Sequence, residues 1–211
     1  MEQILIAVPC MDMVSARFAQ SLATLKKVGK CVVSFLSGSL VYDARNKLAG
    51  YAIENEFDYI LWLDSDIVFQ PDTLEKMMSI LDDHEEIDIL SGLYFRRGQP
   101  FTPVAFDKLE INENNECDYE DMHEIPEGLS EIAGCGFGCV LMRTECLFDI
   151  AAKYGGTWFT PLGNVGEDCS FCIRARNEGY KIYMEPSIEL GHMAYAPVTR
   201  ELYEALKENK Q

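Results

Sequence analysis

The chain has 211 residues, enough for one domain with its own core and short for two. Hydrophobic residues at 48% and charged residues at 25% argue against a disordered chain, and 35 acidic against 18 basic residues leave a net charge of −17. That balance disfavours free binding to nucleic-acid backbones or anionic membranes. No stretch of about 18 consecutive apolar residues occurs, so no membrane span is expected. The segment from Met1 to Pro9 lacks a basic leader and reads as a first strand rather than a signal peptide. The eight cysteines then read as reduced thiols in a cytoplasmic protein.

In chain order, strands and helices alternate through the first half. Ile4 to Val8 is a short apolar strand. Ser15 to Lys27 carries Phe18, Leu22 and Leu25 at helical spacing, with Gly29 as a stop. Cys31 to Leu36 is a β-branched and apolar strand, and Val41 to Glu54 has Ala44, Leu48 and Ala52 on one helical face. Tyr59 to Leu63 is a strand. Pro71 opens a helix with the stripe Leu74, Met77, Met78 and Leu81, and Ile87 to Leu90 is a fourth strand. This alternation predicts βαβ units, hence an α/β fold with a Rossmann-like, mainly parallel sheet flanked by helices.

Asp107 to Glu131 interrupts the pattern with ten acidic residues against one lysine, and reads as an acidic edge insertion, a solvated hairpin or loop. Gly134 to Arg143 predicts a glycine-rich strand approached closely by another group. Thr144 is expected to cap a helix running through Lys153, Glu167 to Asn177 another helix ended by Gly179, and Lys181 to Met184 a strand. Thr199 to Lys210 reads as a surface helix. With no repeat or linker, residues 1–211 are expected to form a single domain.

Four places can carry chemistry. In Leu61-Trp62-Leu63-Asp64-Ser65-Asp66 an apolar strand ends in two carboxylates, and the carboxyl ends of parallel strands line the ligand crevice of such sheets. Hard cations such as Mg2+ and Mn2+ prefer carboxylate oxygens. A bland alternative is an aspartate-rich turn capping the Pro71 helix. Glu167 and Asp168 stand at a helix start, where they either complement the dipole or project a general base into the crevice. His192 is either a packed residue or a further ligand for manganese. Arg45 is either an exposed helix-face arginine or a fork for phosphate or carboxylate. Cys135-x3-Cys139 and Cys169-x2-Cys172 read as buried free thiols rather than a zinc site. The first pair falls in the expected strand, where its alternate spacing places both side chains on one face.

The order Val8-Pro9, Ala44-Arg45-Asn46, Tyr59 to Asp66, Gly136 to Leu141, Gly166-Glu167-Asp168 and Gly191-His192 resembles the GT-A fold glycosyltransferases similar to family 2. The resemblance spans about residues 3 to 195. It implies a metal-dependent transferase that moves a sugar from a nucleoside diphosphate sugar, a uridine diphosphate sugar by family frequency, to an acceptor hydroxyl. Under it Asp64, Asp66 and His192 hold Mn2+ or Mg2+, with Asp64 also near the ribose. Pro9, Arg45, Asp64, Ser65 and Asp66 meet the nucleotide, and Asp168, with Glu167 beside it, is the catalytic base of an inverting reaction. Gly136 to Cys139 border the donor sugar and acceptor. The Gln-x-x-Arg-Trp element of processive synthases is absent, so polymer synthesis and membrane insertion are not expected. The acceptor stays open, a modified nucleobase included, although the charge disfavours a polynucleotide. Two rival readings are a nucleotidyltransferase and a non-catalytic nucleotide-sugar-binding module of the same fold.

Overall fold

The computed structural model describes residues 1–114, 116–195 and Arg200. The first half runs β1 (Gln3–Pro9), α1 (Ala16–Thr24), β2 (Lys30–Leu36), α2 (Val41–Glu54), β3 (Tyr59–Leu63), β4 (Ile67–Val68), α3 (Thr73–Asp83) and β5 (Ile89–Leu93). The second half runs β6 (Ala105–Ile111), β7 (Cys117–Asp121), β8 (Ser130–Ile132), β9 (Gly134–Cys135), β10 (Cys139–Arg143), α4 (Glu145–Tyr154), α5 (Glu167–Asn177), β11 (Ile182–Glu189) and β12 (Gly191–His192).

The central sheet has the order β2-β1-β3-β10-β5-β11-β8. Strands β1, β2, β3, β5 and β11 run one way, and β10 and β8 run against them. The mainly parallel α/β fold expected from the alternation is therefore present, with one reversed strand near its middle. Strands β1 and β3 are apolar at nearly every position because helices cover both faces. Leu5, Ala7, Ile60 and Trp62 face α2, α4 and α5, whereas Ile4, Ile6, Leu61 and Leu63 face α1 and α3. Trp62 is fully buried and its ring meets Phe159 edge-on at 5.1 Å. Truncation of such a side chain to alanine costs about 3–5 kcal/mol.

Several expectations need correction. The run from Gly134 to Arg143 is not one strand. β9 pairs with β6 in a separate three-stranded sheet, and β10 enters the central sheet. The break at Gly136–Gly138 follows from Tyr94, because a β-carbon at Gly136 would collide with its hydroxyl and one at Gly138 would lie 2.8 Å from its ring. Cys135 and Cys139 consequently belong to the cores on opposite sides of the sheet. All eight cysteines are free thiols, and burial pushes that of Cys139 up to about 12. Thr144 does not cap α4. Its backbone is already helical, so its hydroxyl cannot swing back over the first turn, and the oxygen is buried without a partner. The helix after Pro71 starts at Thr73, because Gln70 to Thr73 form a turn first.

The acidic edge is a hairpin of β6 and β7, with exposed carboxylates, and β8 then joins the central sheet. The surface helix expected for Thr199 to Lys210 lies outside the described residues, Arg200 apart. Among the described residues no helix is long and apolar enough to cross a membrane.

Candidate functional site

The site is assembled where β3 ends. Asp64 follows the last apolar residue of β3, and its backbone N–H donates to the Gly138 carbonyl at 2.9 Å. The Ile67 N–H returns to the Asp64 carbonyl at 3.1 Å, so Asp64, Ser65 and Asp66 form a tight turn into β4. β4 pairs antiparallel with β12, with Ile67 opposite His192 and Val68 opposite Gly191. The Met193 N–H then donates to the Asp66 carbonyl at 2.8 Å. This two-residue ladder sets the imidazole beside the second aspartate. His192 Nε2 lies 3.5 Å from Asp66 Oδ2.

The histidine ring is also fixed from behind. Its Nδ1 lies 2.8 Å from the Phe95 carbonyl, which can only accept, so Nδ1 carries a proton. Nε2 is left to face Asp66. Tyr94 braces the ring edge-on at a centroid distance of 5.5 Å and accepts the Gly138 N–H at 3.1 Å. The hydrogen bond to His192 holds the Asp66 carboxyl below its usual value, and the same contact raises His192.

Asp64 turns the other way. Its Oδ1 accepts from Arg45 Nη2 at 2.8 Å, and Arg45 Nε lies 3.6 Å from Glu167 Oε1. Arg45 is 2% exposed, so it is not an exposed helix-face arginine. Its guanidinium stands 5.5 Å from the Phe137 ring, 5.7 Å from Trp62 and 5.8 Å from Phe159. Burial lowers its pKa, but Asp64, Glu167 and Asp168 more than offset this, and the net shift is upward. Burial pushes the Asp64 carboxyl up and Arg45 pulls against it.

A cavity of about 300 Å³ opens above these groups. Pro9, Arg45, Asp64, Ser65, Asp66 and Glu167 line it, with Ser39 and Arg97. Asp168 stands at the tip of α5, where its Oδ1 accepts its neighbour's Cys169 N–H at 2.8 Å. Its Oδ2 would lie 3.3 Å from a β-carbon at Gly136, so the glycine loop borders this carboxylate.

The structure thus brings Asp66 and His192 together, and places Asp64, Arg45 and Glu167 in a second cluster beside them. Among the described residues no three histidine, cysteine or acidic side chains form a ready ligand set. The sequence reading missed Arg97, whose Nη1 holds Asp66 Oδ2 at 2.9 Å. Two consecutive arginines just beyond the end of β5 were the available signal. It also missed Ser39, whose buried hydroxyl lacks a partner at the cavity wall.

A model of the family described as Glycosyltransferase like family 2 matches residues 3–210, nearly the whole chain. The chain belongs to that family. This glycosyltransferase-like chain is also similar in fold to the crystal structure of A197 from STIV. The TM-score is 0.58 at 17% identity, with 95% of this chain and 97% of that one covered. No match was found among curated proteins.

Proposed function

We propose that the chain is a single catalytic domain that moves a sugar from a nucleoside diphosphate sugar, a uridine diphosphate sugar first, to an acceptor hydroxyl with inversion. The observation that carries this reading is the pairing of His192 with Asp66, which lines the cavity together with Pro9, Arg45 and Glu167. Family membership supports the reaction class.

The donor set suits a divalent cation. A histidine anchored through Nδ1 to a carbonyl presents Nε2 as a ligand, and a carboxylate oxygen already lies beside it. The Arg97 guanidinium against the same oxygen marks the spot as one that attracts positive charge. Asp66 and His192 would hold Mn2+ or Mg2+, which would neutralise the charge developing on the departing diphosphate.

The chain's own residues do the rest. Pro9 and Ser65 flank the nucleotide. Arg45 stands at the cavity wall between Asp64 and Glu167 and sets its positive charge against both carboxylates. The acceptor oxygen bonds to the anomeric carbon as the bond from that carbon to the diphosphate oxygen breaks. The electron pair leaves with the diphosphate, and Asp168 takes the acceptor proton, a contribution of about 10²–10⁴ in rate. Glu167 beside it shapes the cavity wall. The free thiols suit a cytoplasmic setting.

A thermal-shift panel of nucleotide sugars with and without Mn2+ tests the reading. The true donor should give the largest metal-dependent rise. Product analysis should then find nucleoside diphosphate. Release of pyrophosphate instead would mark a nucleotidyltransferase, and binding without hydrolysis or transfer across many acceptors would mark a non-catalytic module.

A further inference from the structure

A second cavity, of about 460 Å³, lies at the other end of α5 from Asp168. Arg174 and Arg176 enter it from the last turn of the helix, and Leu109, Ile111, Tyr154 and Asn177 are among its other walls. Arg174 is only 4% exposed. Its Nη1 donates to the Trp158 carbonyl at 2.9 Å, and its guanidinium stands 5.7 Å from the Tyr154 ring. Its Nε is buried with no acceptor. Arg176 Nη1 donates to the carbonyls of Leu109 at 2.9 Å and Ala133 at 3.4 Å.

Neither guanidinium has a carboxylate partner among the described residues. That is unexpected in a chain with 35 acids and 18 bases. Glu110 borders the cavity, but it is exposed and pairs with Lys108 at 3.1 Å. A cation in the last turn of a helix gains about 0.3–1 kcal/mol from the helix dipole. This accounts for basic residues there, but not for burying one without a counter-charge, which costs several kcal/mol. Burial accordingly lowers the pKa of Arg174.

We propose that this cavity binds an organic anion, its carboxylate or phosphate meeting Arg174 and Arg176 and its apolar or aromatic body lying against Leu109, Ile111 and Tyr154. Guanidinium forks match both oxyanions. The site is separate from the cavity at Asp66 and does not depend on the reaction assigned there.

Phenyl phosphate and benzoate are suitable probes, with phenol as the uncharged control, followed by thermal shift and calorimetry on the full chain. At least one anion should raise Tm by about 2–4 °C near saturation, and phenol should not. The rise should persist in Asp66→Asn. It should vanish in Arg176→Gln and Arg174→Met, with Kd weakened at least about tenfold. Ile111→Trp, which fills the cavity and keeps both arginines, should abolish it as well and decides the matter if an arginine variant does not fold. No shift by either anion at about 10 mM, an equal shift by phenol, or a shift that survives Ile111→Trp would overturn the proposal.

Discussion

Two buried arginines divide the molecule. Arg45 lies at the wall of the front cavity, bonded to Asp64 at 2.8 Å and 3.6 Å from Glu167, inside a box of three aromatic rings. Arg174 lies at the back, against the Trp158 carbonyl and the Tyr154 ring, with no carboxylate partner among the described residues. The same side chain is thus embedded in two ways. At the front its charge is answered by carboxylates and helps to hold them in place. At the back it is answered by one carbonyl and one ring. Both arginines keep buried N–H groups without an acceptor, Nε and Nη1 of Arg45 and Nε of Arg174, but only the first has carboxylates beside it, whereas the second is suited to an anion from outside.

The largest expected effect concerns the front site alone. Asp66→Asn should lower transfer on the order of 10³-fold while far-ultraviolet circular dichroism and Tm stay close to wild type. Turnover like that of the wild type with Mn2+ present would remove Asp66 and its cation from the mechanism.

Next comes the comparison itself. Arg45→Met leaves Asp64 and Glu167 without their counter-charge and should cost about 2–3 kcal/mol in urea unfolding. This is less than for a fully buried pair, because Asp64 keeps 32% of its side chain exposed. Arg174→Met strands no carboxylate and removes a buried charge without a counter-charge, so it should leave stability unchanged or raise it by about 1–4 kcal/mol. Equal losses in the two variants would erase the distinction between front and back.

Arg97→Ala should raise Mn2+ affinity of the nucleotide-free protein by up to about fivefold, since Arg97 and the cation share Asp66 Oδ2. Unchanged affinity, read by calorimetry, would show that the two do not compete.

The smallest effect is in pH. The raised pKa of His192 makes its contact with Asp66 stabilising below the ordinary imidazole value, and this is lost as pH rises through the raised one. The lowered pKa of Asp66 makes its share present above the ordinary carboxylate value and lost as pH falls through the lowered one. In chelator, the Tm advantage of wild type over His192→Gln should therefore be largest from about pH 4 to 6.5 and shrink towards pH 9. Cation affinity should change in the opposite sense, rising over that upper range as the imidazole loses its proton.

Local signals carried much of the fold. Tyr59 to Leu63, Val41 to Glu54 and Glu167 to Asn177 form the elements that their apolar runs and helical spacing predict, with the same bounds. Where the reading failed, a distant residue intervened. Tyr94 splits the Gly134–Arg143 run, and no property of that run announces a phenol ring from the loop after β5.

The amino-acid order by itself determined the layered α/β alternation and the two aspartates at the end of β3, because both follow from short-range patterns of apolar and polar residues. The tertiary structure decided the partners. A ladder of two residues per strand places His192 beside Asp66 and not Asp64. Rings from Trp62, Phe137 and Phe159 bury Arg45 at the cavity wall, whereas Arg174 on α5 has no carboxylate partner among the described residues. Charges find their counterparts through contacts between residues far apart in the chain, and no local pattern encodes those distances.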